Sequence, residues 1–282
     1  MSDLVREHFN LHRHPFTAEI DVDGLFQFHS FQQGLLRLSQ SLYQRGSVLI
    51  VGEVGAGKTA LIRSFVQTLA PSSFEVRSQL VLAAGKNSAR AAIDGFLTEF
   101  GEAIPFNNAA RSLEVLKRCL RRLHEQGRQP VIILDDVHHF KPADWLIIKA
   151  LMNYELDSKS MVVLVFMGAQ DDTLQTLGLN TLQEVRDRIG LCYHLSGLKV
   201  SEVEKYLAQR LRWAGCKTPL FPADIAEQIG RYSQGIPRRI NRLAGACLLA
   251  AATMKRDLVD QSCLTQAISE MQFQAPKKEE RQ

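Results

Sequence analysis

Five apolar runs break up the first two hundred residues of the chain, at 47–52, 74–85, 131–136, 161–168 and 191–195. Short apolar runs bounded by polar residues predict strands. All but the second run lack polar alternation, and this is typical of strands covered on both faces of a sheet. The pattern therefore predicts a buried, parallel sheet.

Between these runs the apolar residues recur at helical spacing, as the leucines of residues 110–126 do. Strands that alternate with helices predict an α/β domain with a doubly wound parallel sheet. After residue 198 the strand signals stop, and four helical patterns follow, at 201–214, 222–233, 237–254 and 259–271. The chain is therefore expected to end in a small, all-helical domain.

These patterns set the expected domain boundaries. The α/β domain spans 47–198 and the helical domain 199–272, and residues 1–46 form an N-terminal segment with a helix. Residues 273–282 are charged and contain a proline, so we expect a disordered tail there.

Composition narrows the class of protein. The chain has 282 residues, of which 45% are hydrophobic, and a formal net charge of +4, which permits an acidic partner such as nucleic acid without requiring one. Five cysteines without a CxxC pair argue against a zinc site or a disulfide framework and favour a reducing compartment. No apolar run approaches the roughly 18 residues of a membrane span, and no signal core opens the chain. We therefore expect a soluble, cytoplasmic protein.

The most specific motif follows the first predicted strand. Residues 52–59, GEVGAGKT, fit the phosphate-binding pattern G-x-x-x-x-G-K-[ST] between a strand and a helix. Its glycines allow backbone N–H groups to point at phosphate oxygens, and the following helix adds its positive end. We expect Lys58 to reach the β- and γ-phosphates of ATP and Thr59 to bind Mg²⁺. The expected nucleotide-binding residues are Gly52, Glu53, Val54, Gly55, Ala56, Gly57, Lys58, Thr59 and Ala60.

The third run ends in two carboxylates, Asp135 and Asp136. In a P-loop ATPase a second strand, beside the P-loop strand, delivers an aspartate toward the metal, and we assign this role to Asp135. Asp136 stands where such enzymes usually carry a glutamate that orients the attacking water. An aspartate is one methylene shorter, so it needs a closer approach or a bridging water. We expect Asp136 to be catalytic and the turnover of ATP to be slow. The alternative is that Asp136 only caps the strand.

With these motifs in this order, the chain resembles an AAA+ ATPase, and more narrowly the ExeA-like group. That group is named for an ATPase of the general secretion pathway and includes transposon-encoded helpers related to TniB and TnsC. The resemblance begins at residues 8–16, HFNLHRHPF, and continues through the P-loop, residues 153–158 and residues 186–198. It closes with residues 235–251, GIPRRINRLAGACLLAA, which match the family best.

The resemblance implies roles for several arginines. Arg186 and Arg188 stand where AAA+ proteins place the arginine that reaches the γ-phosphate of a neighbouring protomer, and Arg188 is slightly favoured. The alternative is that one or both only pair with Glu184 or Asp187 on the surface. Arg238 matches the arginine of the helical domain that senses nucleotide within the same chain, and Arg239 is expected to pair locally.

The sequence departs from the family in two places. Asp136 replaces the usual glutamate, and residues 166–172, FMGAQDD, replace a VGQPEL-like stretch. The polar sensor of that strand is either Gln170, with the register slipped by one residue, or missing. His138 and His139 follow the acids without the further ligands that a metal site needs, so we expect them near the γ-phosphate or at the protomer boundary.

Two groups of basic residues are candidates for contact with DNA. One is a cluster on a single predicted helix, and the alternative for it is a solvated helix face. The other lies in the loop after the second strand, which DNA-handling relatives use to touch the DNA backbone. The first group is Lys117, Arg118, Arg121 and Arg122, and the second is Lys86 and Arg90.

Together these features predict an Mg·ATP-dependent AAA+ ATPase that forms a homo-oligomeric ring or helical filament. One expected role is a transposition helper that loads on duplex DNA and recruits or activates a transposase. The alternatives are a secretion or pilus-assembly ATPase and an ATP-binding switch with negligible turnover. Full-length secretion relatives usually add a membrane span and a cell-wall-binding domain after the ATPase; this sequence carries neither, which favours the helper.

Overall fold

The computed structural model describes residues 3–17, 19–81, 88–106, 108–152 and 161–272. Within these residues, five strands form one parallel sheet in the order β2-β3-β4-β1-β5. The strands are β1 Ser47–Val51, β2 Phe74–Leu80, β3 Gln129–Asp135, β4 Val163–Gly168 and β5 Ile189–His194.

The helices follow the predicted alternation and then the predicted helical run. In the α/β part they are α2 His29–Tyr43, α3 Lys58–Gln67, α4 Ser88–Glu99, α5 Ala109–Glu125, α6 Pro142–Met152, α7 Gln170–Leu177 and α8 Gln183–Arg188. The remaining helices are α1 Leu4–His8, α9 Val200–Trp213, α10 Ala223–Ser233, α11 Pro237–Thr253 and α12 Gln261–Gln272. The predicted fold class, a parallel α/β sheet followed by helices, is confirmed.

One prediction about the sheet is wrong. The strand that carries the two acids does not lie beside the P-loop strand, because β4 lies between them: Val165 pairs with Val48 of β1 and with Ile133 of β3. Neighbouring strands lie about 4.8 Å apart, so β1 and β3 are separated by about 10 Å. Parallel strands end at the same edge, however, and the acids therefore still emerge at the edge where the P-loop begins.

Alternate strand residues pack into one buried cluster, which includes Leu49 of β1, Ile132 of β3 and Phe166 of β4. This spacing of two places their side chains on a single face of the sheet. Trp145 of α6 is fully buried in the same cluster, with its ring centroid 5.2 Å from that of Phe166 and 5.3 Å from that of Phe140. Burial of this apolar surface fixes the strands, and with them the loops at their carboxyl ends.

The chain divides into two compact units. One consists of Phe31–Val54 and Lys58–Leu195 and contains the sheet; the other consists of Met1–Ser30, Gly55–Gly57 and Ser196–Gln282. The domain boundaries expected from the sequence, 47–198 and 199–272, remain predictions. The tail at 273–282 lies outside the described residues.

Inside the helical unit, a buried arginine ties the N-terminal segment to α9. The Arg210 guanidinium donates to the carbonyl oxygens of Pro15 and Thr17, both at 2.7 Å. A buried guanidinium needs such acceptors because it has lost its water. Among the described helices, none has both the length and the apolar character required to cross a membrane.

Candidate functional site

The loop between β1 and α3 has the backbone that its glycines predict. Gly55 and Gly57 have φ angles of +90° and +102°, a region that side chains with a Cβ rarely adopt. The Lys58 ammonium is buried and donates to the carbonyl oxygens of Gly52 at 2.8 Å and Glu53 at 3.1 Å. The loop therefore curls around a positive charge, as a phosphate-binding loop requires.

Asp135, at the end of β3, meets the first turn of α3. The Thr59 hydroxyl donates to Asp135 Oδ2 at 3.2 Å, and the Asp136 N–H donates to Asp135 Oδ1 at 2.8 Å. Burial raises the pKa of Asp135 above its usual value and the Asp136 carboxylate raises it further, whereas the Asp136 N–H, the Thr59 hydroxyl and the Lys58 ammonium lower it. A partly desolvated carboxylate beside a hydroxyl is a pair of hard oxygen donors, and these suit Mg²⁺.

Asp136 begins the turn that follows β3. Its φ and ψ are 57° and 38°, in the left-handed region, and a 3₁₀ turn over Val137–His139 comes directly after it. The Asp136 side chain is 42% exposed, and its Oδ1 lies 3.7 Å from Nδ1 of His138. Asp136 is therefore held at the same edge of the sheet as Asp135, in a conformation unusual for a residue with a side chain.

A family model described as an AAA domain matches residues 40–177, which include this loop and both acids. General secretion pathway protein A of Aeromonas hydrophila is 30% identical to the chain over 252 residues. The chain belongs to the AAA+ P-loop ATPases. The match covers 88% of this chain but only 45% of that relative, so the chain spans less than half of the relative's length.

Solved structures with the same fold bind nucleotide or DNA. The ORC2 protein of Aeropyrum pernix, solved as ADPNP–ADP complexes, aligns with a TM-score of 0.68 and 17% identity, covering 92% of this chain and 71% of that one. The ORC1 protein of Aeropyrum pernix in complex with DNA aligns with a TM-score of 0.64 and 18% identity, covering 91% of this chain and 68% of that one. Identities this low show a shared fold only.

In this AAA+ ATPase, the arginine at the start of α11 contacts the tip of the P-loop. The Arg238 N–H donates to the carbonyl oxygen of Gly55 at 3.3 Å, and a Cβ added at Gly55 would lie 2.6 Å from the Arg238 Cβ. A glycine is therefore required at this close approach. Arg239 pairs locally, as predicted, with Gln234 Oε1 at 2.5 Å.

The two arginines of α8 differ in what they contact. The Arg186 guanidinium donates to the carbonyl oxygens of Leu177 and, at 2.8 Å, Leu179, so it holds the turn after α7. Arg188, the last residue of α8, lies near Glu184, whose pKa is lowered first by its hydrogen bond from Lys149 and less by Arg188. Arg186 is thus tied to the turn after α7 through two backbone carbonyls.

The candidate DNA contacts are also unequal. Arg90 lies in α4 and not in the loop where the sequence placed it. It is 19% exposed and pairs with Asp94 at 2.7 Å and the Pro105 carbonyl at 3.0 Å, so its charge is engaged within the fold. On α5, Lys117 lies 3.5 Å from Glu114 and Arg122 lies 3.2 Å from Glu102. Arg118 and Arg121 are exposed on the same helix, and Lys86 and residues 153–158 lie outside the described residues.

The end of β4 contains contacts that sequence reasoning missed. β4 ends at Gly168, Gln170 begins α7, and the Ala169 N–H donates to His138 Nδ1 at 3.4 Å. Thr173 is fully buried close to Gly168. A glycine ending an apolar strand was the available signal, since it marks a close approach by another segment. Among the described residues, no group of three or more His, Cys, Asp or Glu side chains is arranged to hold a metal ion.

Proposed function

We propose that this AAA+ ATPase binds and hydrolyses Mg·ATP, assembles with ATP into a ring or helical filament, and in that state holds duplex DNA as a transposition helper. The observation that carries the nucleotide chemistry is the 3.2 Å contact between Thr59 and Asp135, because it joins the P-loop helix to the acid-bearing strand. A helper of this kind recruits or activates a transposase, a partner that the resemblance suggested.

The proposed roles follow from the geometry of the loop. The buried ammonium of Lys58, which donates to the Gly52 carbonyl, would face the β- and γ-phosphates, and the N–H groups of the loop backbone would surround them. Thr59 and Asp135 would supply oxygen ligands to Mg²⁺, whose charge would compensate the carboxylate that burial disfavours. When bound, Mg²⁺ would neutralise charge on the phosphates. Asp136 orients the attacking water, and its short side chain makes turnover slow.

The proposed coupling of hydrolysis to assembly depends on two arginines, Arg188 and Arg238, that act on different nucleotides. Arg188 acts on the nucleotide of a neighbouring protomer, since its guanidinium can spread donors over the phosphoryl charge that develops during hydrolysis. Arg238 acts within its own chain, beside the Gly55 carbonyl that its N–H already contacts. Hydrolysis would then need two protomers, so nucleotide and assembly are coupled.

DNA binding is supported by charge on α5 and by the fold. Arg118 and Arg121 are exposed, and α5 also carries Lys117 and Arg122. One protomer offers few such contacts, but an assembly repeats them along a duplex, and each neutralised phosphate adds to the salt dependence of binding. A structural neighbour, the Aeropyrum pernix ORC1 protein, is described in complex with DNA.

A secretion or pilus-assembly role is a second candidate, favoured by the 30% identity to General secretion pathway protein A. In that role the assembled ATPase would act on a protein client and would need no DNA. A switch that binds ATP with negligible turnover is a third possibility, favoured by the short Asp136 side chain. DNA binding separates the first candidate from the second, and turnover separates the first from the third.

The test is fluorescence anisotropy of a random-sequence duplex, with ATP, with a slowly hydrolysed analogue, or without nucleotide. We expect binding only with nucleotide, falling steeply between about 50 and 200 mM salt. The double variant Arg118→Glu/Arg121→Glu should bind DNA at least about tenfold more weakly with unchanged ATP affinity. Lys205→Glu/Arg212→Glu, a double reversal at exposed positions of α9, is the charge-matched control. If assembled protein with ATP binds no DNA at low salt, the secretion role replaces the helper.

A further inference from the structure

The carboxyl end of β4 lies beside the acids but has no polar side chain of its own, because Gly168 ends the strand and Ala169 follows. A Cβ added at Gly168 would collide with the Thr173 hydroxyl and lie 3.3 Å from the His138 backbone nitrogen. The turn after Asp136 therefore packs directly on the strand end, and only glycine leaves room for it.

His138 supplies the polar group at this place. Its side chain is 16% exposed, and Nδ1 lies 3.4 Å from the Ala169 nitrogen and 3.7 Å from Asp136 Oδ1. A backbone N–H can only donate, so Nδ1 is unprotonated and the neutral ring carries its proton on Nε2. Burial lowers the pKa of His138, and His139 and Lys58 lower it further against the opposing charges of Asp136 and Asp172, in keeping with a neutral ring.

We propose that His138 is a positioning residue of the ATP site: through Nδ1 it ties the end of β4 to the turn that carries Asp136, and so fixes the carboxylate that orients water. The proposal rests on the proposed hydrolysis, in which Asp136 takes part. His138 thereby takes the place of the polar side chain that β4 lacks. The polar sensor that the sequence predicted near Gln170 is then His138, in the turn that follows β3.

The backbone of Asp136 explains why such a tie is needed. A non-glycine residue in the left-handed region is strained, and it stays there only where surrounding contacts hold it. The turn Val137–His139 follows immediately, so a bond from His138 to β4 acts on the Asp136 backbone at short range. Because the Asp136 side chain is short, a small displacement takes its carboxylate out of reach of the water.

Two amide substitutions separate the functions of the two ring nitrogens. Asparagine places its amide oxygen close to the position of Nδ1, whereas glutamine places its amide group close to that of Nε2. We expect His138→Ala to lower kcat by about tenfold to a hundredfold while ATP affinity stays the same. His138→Asn should restore most of kcat and His138→Gln should not.

A second readout does not depend on turnover. In ¹⁵N spectra of histidine-labelled protein without nucleotide, the signals lost in His138→Asn should show an unprotonated Nδ1 and a protonated Nε2. A protonated Nδ1, rescue by Gln but not Asn, or full activity of His138→Ala would each overturn the positioning role. If the wild type turns over ATP no faster than Lys58→Ala, the proposed hydrolysis itself fails and the role of His138 in it falls too; an active wild type confines any failure to His138.

Discussion

Asp135 is a carboxylate that has lost part of its water and is only partly compensated by hydrogen bonds from Asp136 and Thr59. Because its pKa in the folded chain is raised above the usual 3.8, the folded protein binds this proton more tightly than the unfolded chain does. The ionised group therefore costs stability above the raised pKa, and the cost disappears as the pH falls toward 3.8.

Asp135→Asn should consequently stabilise the protein when neither Mg²⁺ nor nucleotide is present. At pH 7 to 8 we expect the melting temperature to rise by about 2–4 °C, the shift that about 1 kcal/mol produces in a domain of 150–250 residues. The gain should shrink as the pH is lowered, because the wild type then gains a proton and the variant does not. Differential scanning fluorimetry from pH 8 down to about pH 4 measures it; a variant less stable than the wild type at pH 8 would contradict the conclusion that the ionised Asp135 carboxylate costs stability.

The short side chain of Asp136 is the reason that we expect slow turnover of ATP. Asp136→Asn should retain ATP binding while turnover falls to background, which would leave assemblies locked in the ATP state. Asp136→Glu adds the missing methylene and should preserve or raise kcat. Steady-state phosphate release, with nucleotide affinity measured in parallel, gives both values. Turnover of Asp136→Asn equal to that of the wild type would make Asp136 a strand cap.

At the scale of elements, α8 carries two arginines with different expected effects. Arg186→Ala removes donors to the carbonyls of Leu177 and Leu179, so it should lower the melting temperature by about 2 °C or more. Arg188→Ala should leave ATP binding unchanged and abolish the hydrolysis that depends on assembly. Mixing Arg188→Ala with Lys58→Ala should restore some activity, because each protein supplies the half-site that the other lacks. Mixtures that co-assemble and stay inactive at every ratio would exclude action across a protomer boundary.

The positions of the strands could be predicted from the sequence, but their order could not. Short β-branched runs predicted the strands because burial on both faces leaves no polar alternation in them. The order of the strands was not predictable in this way: nothing in residues 131–136 indicates that β4, rather than β1, pairs with β3. Strand pairing is set by packing between distant segments, and a single apolar run carries no record of its neighbour.

The candidate site also has one part that could be predicted from the sequence and one part that could not. The P-loop could be predicted from spacing, since its function needs particular residues at fixed intervals. The contact between Ala169 and His138 could not, because it depends on two turns meeting at the glycine that ends β4. The same holds for the contacts of Arg186, which depend on carbonyls supplied by the turn after α7.

At the scale of the whole molecule, the chain is an AAA+ ATPase with its sheet in one compact unit and the helices α9–α12 in another. The curated relative is more than twice as long as the stretch that it shares with this chain. The likeness to this relative therefore supports the family, and the client protein of this chain is to be found by experiment. We propose more narrowly that residues 52–59 and Asp135 together bind Mg·ATP.

Isothermal titration of ATP, with Mg²⁺ and with a chelator, tests that claim most directly. We expect the wild type to bind ATP more tightly with Mg²⁺ than without it, and Lys58→Ala to show no binding and no ATP-dependent assembly, since it lacks the ammonium facing the β- and γ-phosphates. Asp135→Asn should still bind ATP but lose most of the difference that Mg²⁺ makes. An ATP affinity of Lys58→Ala equal to that of the wild type within error would contradict the assignment of the site.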